Sequence, residues 1–458
     1  MKENNNSNRC DVYVMAPLDV INEEGKPSYI KKFTEWCERL KEGEVDGVMI
    51  DVWWGLVEKA PKKYRWEGYD EVFKVLRNND LKIVPVLSFH QCSGNIGDTV
   101  HIPIPKFVFE HEKKPYFVDK FNQINDEYIS FSYDSVKLGD RTPLEMYADF
   151  MNNFKKHFEK YIENKTISKI EVGLGPCGEL RYPSYLLSRW EYPASGSFQC
   201  YDEEFQRMFS EDAKEAGHEE WDSPPTDIGD SYNQYPGGPT FWTTGYKSEY
   251  GKFFLKWYST KLIEHGRNVL GIARKIFPST RLSGKISGIH WQYLHSSRCA
   301  EATAGYYNTD GQEGYSRIAK MFKENDIDFC FTCLEMKGQD KESASAPEQL
   351  VYEVFQSALK HGLNFEGENA IERYDWDAYE QVLKWASEGL NEFTFLRMTD
   401  KLMNDHNTWS NFVKFTRKMH DSDYEDSEEE SSENKDSKEN IEYEEYEEEN
   451  YNELILLY

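Results

Sequence analysis

The chain has 458 residues, 39% hydrophobic and 15% aromatic, which is apolar material enough for a large core and excludes a largely disordered protein. Its formal net charge is −28, and residues 421–458, with 17 acids and 2 lysines, carry −15 of it. Neither portion offers the basic patch of a nucleic-acid binder, and no apolar run approaches the ~20 residues of a membrane span.

Eight short runs rich in β-branched and aromatic residues alternate with eight helix-like patterns. In chain order, strand 12–18 precedes helix 29–41, 47–54 precedes 69–78, 81–89 precedes 143–162, and 167–175 precedes 249–276. Strand 282–289 then precedes helix 315–323, 327–334 precedes 347–360, 362–368 precedes 376–387, and 393–398 precedes 409–419. Most strand runs are continuously apolar, as expected of parallel strands covered on both faces. Eight β/α alternations predict a (β/α)₈ TIM barrel over residues 11–420. Connections 90–141 and 176–247 far exceed the ~2–6 residues of ordinary βα loops. With the loop after strand five they are expected to form a capping lobe on the face where barrel active sites are built. Residues 421–458 are low-complexity and acidic, and are expected to be disordered. The start, Met1 to Arg9, is polar and lacks a signal-peptide core. The eight cysteines read as scattered, so neither a zinc site nor a disulfide framework is expected, and a reducing cytoplasm fits best.

Chemistry is sought at the C-terminal ends of the strands. Strand two ends in Asp51-Val-Trp-Trp, strand three in Ser88-Phe-His-Gln-Cys92, and strand four runs into Gly175-Pro-Cys-Gly-Glu-Leu-Arg-Tyr182. His290-Trp291 follows strand five, Thr332-Cys-Leu-Glu335 strand six, Glu366-Gly-Glu-Asn369 strand seven, and Arg397 strand eight. The set contains carboxylates, imidazoles, indoles and a guanidinium, with no metal set, phosphate loop or cofactor motif. Two carboxylates flanking a glycosidic bond suffice for hydrolysis, and Glu179 and Glu368 lie on strands across the barrel from each other. By position alone, each is equally readable as a hydrogen-bond anchor.

Several segments resemble the β-amylase family. They are Asp46-Gly-Val-Met-Ile-Asp-Val-Trp-Trp-Gly55, His90-Gln-Cys-Ser-Gly-Asn-Ile-Gly-Asp98, Gly173-Leu-Gly-Pro-Cys-Gly-Glu-Leu-Arg-Tyr182, Gly284-Lys-Ile-Ser-Gly-Ile-His-Trp291, Phe331-Thr-Cys-Leu-Glu-Met336 and Gly367-Glu-Asn-Ala370. They fall in family order across residues 13–420. The resemblance implies exo-acting, inverting hydrolysis of α-1,4-glucan with release of β-maltose from non-reducing ends. It makes Glu179 the general acid and Glu368 the general base, with carboxyls roughly 6.5–9.5 Å apart. Asp98 matches the acid of a mobile loop and Thr332 an inner-loop residue that shifts with substrate. Lys285 is a candidate for sugar binding and for electrostatic support of Glu368. Asp51, His90, Asn369, Ala370 and Arg397 match sugar-contacting positions, and His290 is a further substrate-binding candidate with a wall role equally open. The chain departs from the family at Ser93, Leu186, Gln292 and Ile371-Glu372.

Two other readings stay open: a catalytically inactive β-amylase-like glucan-binding or sensor protein, and a retaining or endo-acting glucanase on the same barrel. The sequence does not indicate the oligomeric state.

Overall fold

The eight apolar runs become eight parallel strands. In the computed structural model, which describes residues 9–424, these are β1 (Asp11–Met15), β2 (Gly47–Trp53), β3 (Lys82–Ser88), β4 (Lys169–Val172), β5 (Arg281–Ile286), β6 (Asp328–Phe331), β7 (Phe365–Glu368) and β8 (Glu392–Phe395). Each pairs with its neighbours in sequence, and β8 closes on β1 with Tyr13 opposite Thr394. Seven of the strands stop short of their runs because the last residues leave the hydrogen-bonded ladder to start a loop, whereas β7 reaches the end of its run and begins late, at Phe365.

The outer ring is α1 (Ile30–Glu42), α2 (Glu67–Asn78), α3 (Pro143–His157), α4 (Glu249–Ile276), α5 (Gly314–Glu324), α6 (Pro347–Lys360), α7 (Trp376–Glu388) and α8 (His406–His420). Their starts carry the expected chemistry. Thr142 and Glu145 form a reciprocal capping box with Pro143 in the first turn of α3, and Ser248, Asp375 and Asp405 cap α4, α7 and α8. The third helix does not run unbroken to residue 162. Phe158 leaves helical geometry (φ −101°, ψ 18°) and buries its ring 4.7 Å from that of Phe73, and a short helix, Glu159–Glu163, follows.

Two cores result. A large apolar one lies between strands and helices. Inside the barrel, Tyr13, Met15, Met49, Val84 and Val86 form a small apolar cluster on the β1–β3 side. Charged side chains fill the opposite side. Lys169 Nζ donates to Glu366 at 2.5 Å and Glu392 at 2.7 Å, and Arg281 pairs with Asp328, Glu366 and Glu392. Charges buried this deeply persist only when paired.

The long connections do form a lobe over one end of the barrel, tied together across the three loops. Tyr201 N donates to Val118 O at 2.9 Å and the Tyr232 hydroxyl to Asp119 at 2.8 Å. From the loop after β5, Trp291 Nε1 donates to Ala194 O and Gln292 Nε2 to Pro193 O, at 3.0 and 2.9 Å. Gln292, one of the departures, therefore fastens two loops. Beyond α8, Arg417 and Lys418 hold Tyr424 through its hydroxyl and its carbonyl. The expected disorder of the acidic tail concerns residues that, from 425 onward, lie outside the described residues.

Candidate active site

Glu179 owes its position to a tight turn. After β4 the chain enters a one-turn 3₁₀ segment, Pro176–Gly178, in which Cys177 has φ 55° and Gly178 φ 77°. A side chain on Gly175 would meet the carbonyl oxygen of Glu179 at 2.4 Å, so only glycine permits this return. Leu180 N then donates to Lys285 O at 2.7 Å, locking the turn to β5. The carboxylate so presented is 8% exposed and accepts from Arg181 Nε at 2.7 Å.

Glu368 ends β7 and is 1% exposed. Lys285, on β5, donates to its Oε2 at 3.1 Å and lies 3.5 Å from Glu171 Oε1. Burial disfavours the Lys285 charge, but Glu368 and Glu171 outweigh it and hold the ammonium pKa well above its ordinary value. Glu171 itself is pushed up to about 7, by burial first, with Lys285 opposing. Among the described residues, Glu171, Cys330 and Glu368 are the group whose potential ligand atoms all fall within 4.8 Å of one another. Cys330 and Cys333 are spaced as C-x-x-C, a pattern that the scattered reading of the cysteines passed over. They do not face each other as a ligand pair. The Cys330 thiol approaches Glu368 Oε1 at 3.9 Å, whereas Cys333 packs under Gly288.

Around these carboxylates the structure gathers most of the residues expected to bind sugar. Asp51 accepts from Ser88 Oγ at 2.7 Å. Burial raises its pKa, while Arg397, Ser88 and Lys285 pull the other way. His90, against the edge of Trp53 at 5.1 Å, is driven down to about 3 by burial, then by Lys285 and Arg181; it is neutral at any physiological pH. Asp98 closes a turn by accepting from Asn95 N at 3.0 Å, and burial raises its pKa as well. Asn369 bridges two loops, donating to Ile371 O and Leu396 O and accepting from Leu396 N. Arg397 donates to Ala16 O at 2.9 Å. The Thr332 hydroxyl accepts from Gly288 N at 2.8 Å. Ala370 N donates to both oxygens of Glu335 at 2.9 and 3.0 Å, and its own surface is exposed. His290 is bonded to Ser345 Oγ at 2.8 Å and packs beside Tyr192 and Trp291. Burial alone lowers it to about 4.

Three contributors were not singled out from sequence. Arg181 joins Glu179 to the 93–98 loop, because its second nitrogen donates to Asn95 Oδ1 at 3.1 Å. Glu335 fixes the segment after Glu368 through Ala370 and Ile371, and burial pushes it up to about 7. Glu171 is the third. Its signal was available, since Lys169 and Glu171 place two charges two residues apart in an otherwise apolar strand, which points both inward. The departures fit locally. Leu186 packs against Gly94, where φ is 92° and a side chain would meet Leu186 at 2.6 Å, and Glu372 accepts from the Thr399 hydroxyl at 2.7 Å.

This barrel, with its paired buried glutamates, can be set beside known proteins. The profile of Glycosyl hydrolase family 14 matches residues 13–424. The chain belongs to that family. It is 44% identical to Beta-amylase 5 of Arabidopsis thaliana, over 91% of this chain and 88% of that protein. It is 42% identical to Beta-amylase Tri a 17 of Triticum aestivum, over 90% and 86%. A relative labelled chloroplastic, Beta-amylase 2 of Arabidopsis thaliana, is also 42% identical, over 89% and 79%. Among solved structures, the catalytic domain of beta-amylase from Paenibacillus polymyxa superposes with a TM-score of 0.75 at 30% identity, covering 89% of this chain and 98% of that one. A beta-galactosidase from Halorubrum lacusprofundi (12% identity, TM-score 0.54) shares the barrel fold. The chain is therefore a glycoside hydrolase of the β-amylase family on a (β/α)₈ barrel.

Proposed function

We propose that this chain hydrolyses α-1,4-glucosidic bonds of starch- or glycogen-type polysaccharides, releasing β-maltose from non-reducing ends with inversion at the anomeric carbon. The activity is that of a β-amylase. Glu179 donates a proton to the departing oxygen as general acid, and Glu368 accepts one from the attacking water as general base. The observation that carries this reading is the unequal setting of the two carboxylates. Glu368 is buried beside the Lys285 ammonium, which suits a group that must enter the reaction ionised. Glu179 stands on a turn at the lobe side, bonded to Arg181, whose other nitrogen engages the 93–98 loop. Substrate binding and loop geometry are thereby felt at the acid.

Lys285, Asp51, His90, Asp98, Thr332, Asn369, Ala370 and Arg397 line the sugar path in this reading, and His290 contributes wall. In this reading the three-loop lobe closes one end of the path, so that attack falls on chain ends. An inactive glucan-binding protein gains no support, since Glu179, Glu368 and Asp98 are all present. The catalytic unit in this reading is residues 11–420. The eight cysteines are free thiols and, among the described residues, no helix is long and apolar enough to cross a membrane; we place the enzyme in the cytoplasm on these grounds. The test is digestion of maltoheptaose labelled at its reducing end. Exo-attack from the other end releases unlabelled maltose first and leaves the label on a chain that shortens by two. Label scattered over all lengths from the start refutes exo-action.

A further inference from the structure

Arg181 carries a charge that Glu179 alone does not answer. It is 1% exposed, and its Nε donates to Glu179 at 2.7 Å. A buried guanidinium persists only beside an anion, yet a general acid begins the reaction protonated and neutral. The second nitrogen of Arg181 points to where that anion lies. It donates to Asn95 Oδ1 at 3.1 Å, and Asn95 Nδ2 donates in turn to Glu127 Oε1 at 2.7 Å. Glu127, in the loop after β3, is 1% exposed, and its backbone carbonyl accepts from Gln91 N at 2.8 Å.

The hydrogen bonds fix the ionisation of Glu127. Arginine only donates, so the Asn95 amide turns its oxygen to Arg181 and its nitrogen to Glu127. Asn125 is oriented in the same way, because its Oδ1 accepts from Glu127 N at 2.9 Å and its Nδ2 donates to Glu127 Oε2 at 2.7 Å. Both carboxylate oxygens therefore meet N–H groups, and a proton on either would face a donor. Burial pushes the carboxyl upward and Asp98 adds to this, while Arg181, Asn125 and Asn95 pull the other way. The other groups about Arg181 carry no charge to rival it. The Tyr185 ring lies 4.3 Å from the guanidinium and the Cys177 sulfur 3.6 Å from its nitrogen, and burial drives both the phenol and the thiol up. His90 is neutral.

We propose that Glu127 is the standing counter-ion of Arg181, a positioning residue that lets Glu179 hold its proton until the glycosidic oxygen takes it. This deepens the reading above and rests on Glu179 being the acid. With Glu127 ionised, Arg181 is paired while Glu179 is neutral. Once the proton has passed to the departing oxygen, the Glu179 carboxylate meets the same guanidinium. Without the Glu127 charge, Arg181 draws Glu179 toward the ionised form, and the acid is lost at lower pH.

The experiment is the pH dependence of kcat/KM on maltoheptaose for the full chain, Glu127→Gln, Glu127→Asp and Asn95→Ala. Each profile is scaled to its own plateau, so that a general loss of rate does not count. The alkaline limb of such a profile reports the proton on the acid of the free enzyme. In Glu127→Gln it should move toward acid by at least about half a pH unit. Glu127→Asp, which keeps the charge, should hold the limb close to that of the parent. Asn95→Ala removes the amide that relays the charge and should move the limb the same way by less, so the test survives a failure of Glu127→Gln to fold. A limb that stays in place in Glu127→Gln and Asn95→Ala, or that moves as far in Glu127→Asp as in Glu127→Gln, overturns the proposal. The residual rate of Glu179→Gln is followed over the same range. A limb that survives there overturns the premise that Glu179 is the acid. Its loss there, beside an unmoved limb in Glu127→Gln, overturns the role of Glu127 alone.

Discussion

Lys285 reaches from β5 across the barrel interior to place its ammonium 3.1 Å from Glu368 Oε2. Glu171 lies on its other side at 3.5 Å, so one buried cation serves two buried carboxylates. Removing a single partner from such a group leaves uncompensated charge, which costs about 3–5 kcal/mol. Lys285→Met should accordingly lower the melting temperature markedly and reduce kcat at least tenfold. Thermal unfolding and steady-state rates measured together check this, and a variant as stable and active as the parent would show that the lysine supports neither carboxylate.

Glu179→Gln and Glu368→Gln each preserve shape while removing an acid or a base. General acid–base assistance is typically worth about 10²–10⁴-fold, so each variant should lose at least about a hundredfold in kcat while still binding maltoheptaose. Calorimetric binding and rate measurements on the same preparations check it. A rate within tenfold of the parent in either variant removes that residue from its role.

Arg181 touches both Glu179 and Asn95, at 2.7 and 3.1 Å. Arg181→Lys keeps the charge but cannot span two partners with one planar fork. Both kcat and KM should worsen, because the acid and the 93–98 loop lose their shared anchor, and the alkaline limb of the pH–rate profile should move. A purely structural arginine would change stability and leave that profile in place.

These assignments were unequally legible in the sequence. The barrel could be read from eight runs because parallel strands covered on both faces are rich in hydrophobic residues, even where charges such as Lys169 and Glu171 point into the barrel. Glu179 and Glu368 stand out as carboxylates at or just beyond the ends of such runs, but position alone leaves each readable as a hydrogen-bond anchor, and only the family resemblance gives them roles. Arg181 could not, since its importance lies in two contacts made by a turn whose path depends on Gly175 and on the left-handed Cys177. The break at Phe158 was equally hidden, because a buried aromatic continues a helical pattern as well as it ends one. His290 shows the reverse case. It stands at a strand end, where either a sugar-binding or a wall role can be read, and its ring packs beside Tyr192 and Trp291, which is compatible with both.

Glu335 gives a pH dependence of known sign. Burial raises it from an ordinary 4.5 to about 7, so between these values the folded chain keeps a proton that the unfolded chain has released. Its contribution to stability is whole below pH 4.5 and is lost as the pH rises to about 7, a change of about 3 kcal/mol. Glu335→Gln retains an acceptor for Ala370 N and Ile371 N without the ionisation. Denaturant titrations from pH 4.5 to 8 should therefore show a flatter decline for the variant than for the parent, and parallel curves would remove Glu335 as the source.

Glu179 and Glu368 are proposed to act as acid and base on opposite faces of one sugar, with water as the nucleophile. Proton NMR of soluble starch in the first moments of digestion, before mutarotation, reads this directly at the anomeric resonances. Newly formed maltose should appear as the β-anomer and relax later toward the equilibrium mixture. Maltose appearing first as the α-anomer would mean retention, and would contradict the assignment of Glu368 as a base acting through water.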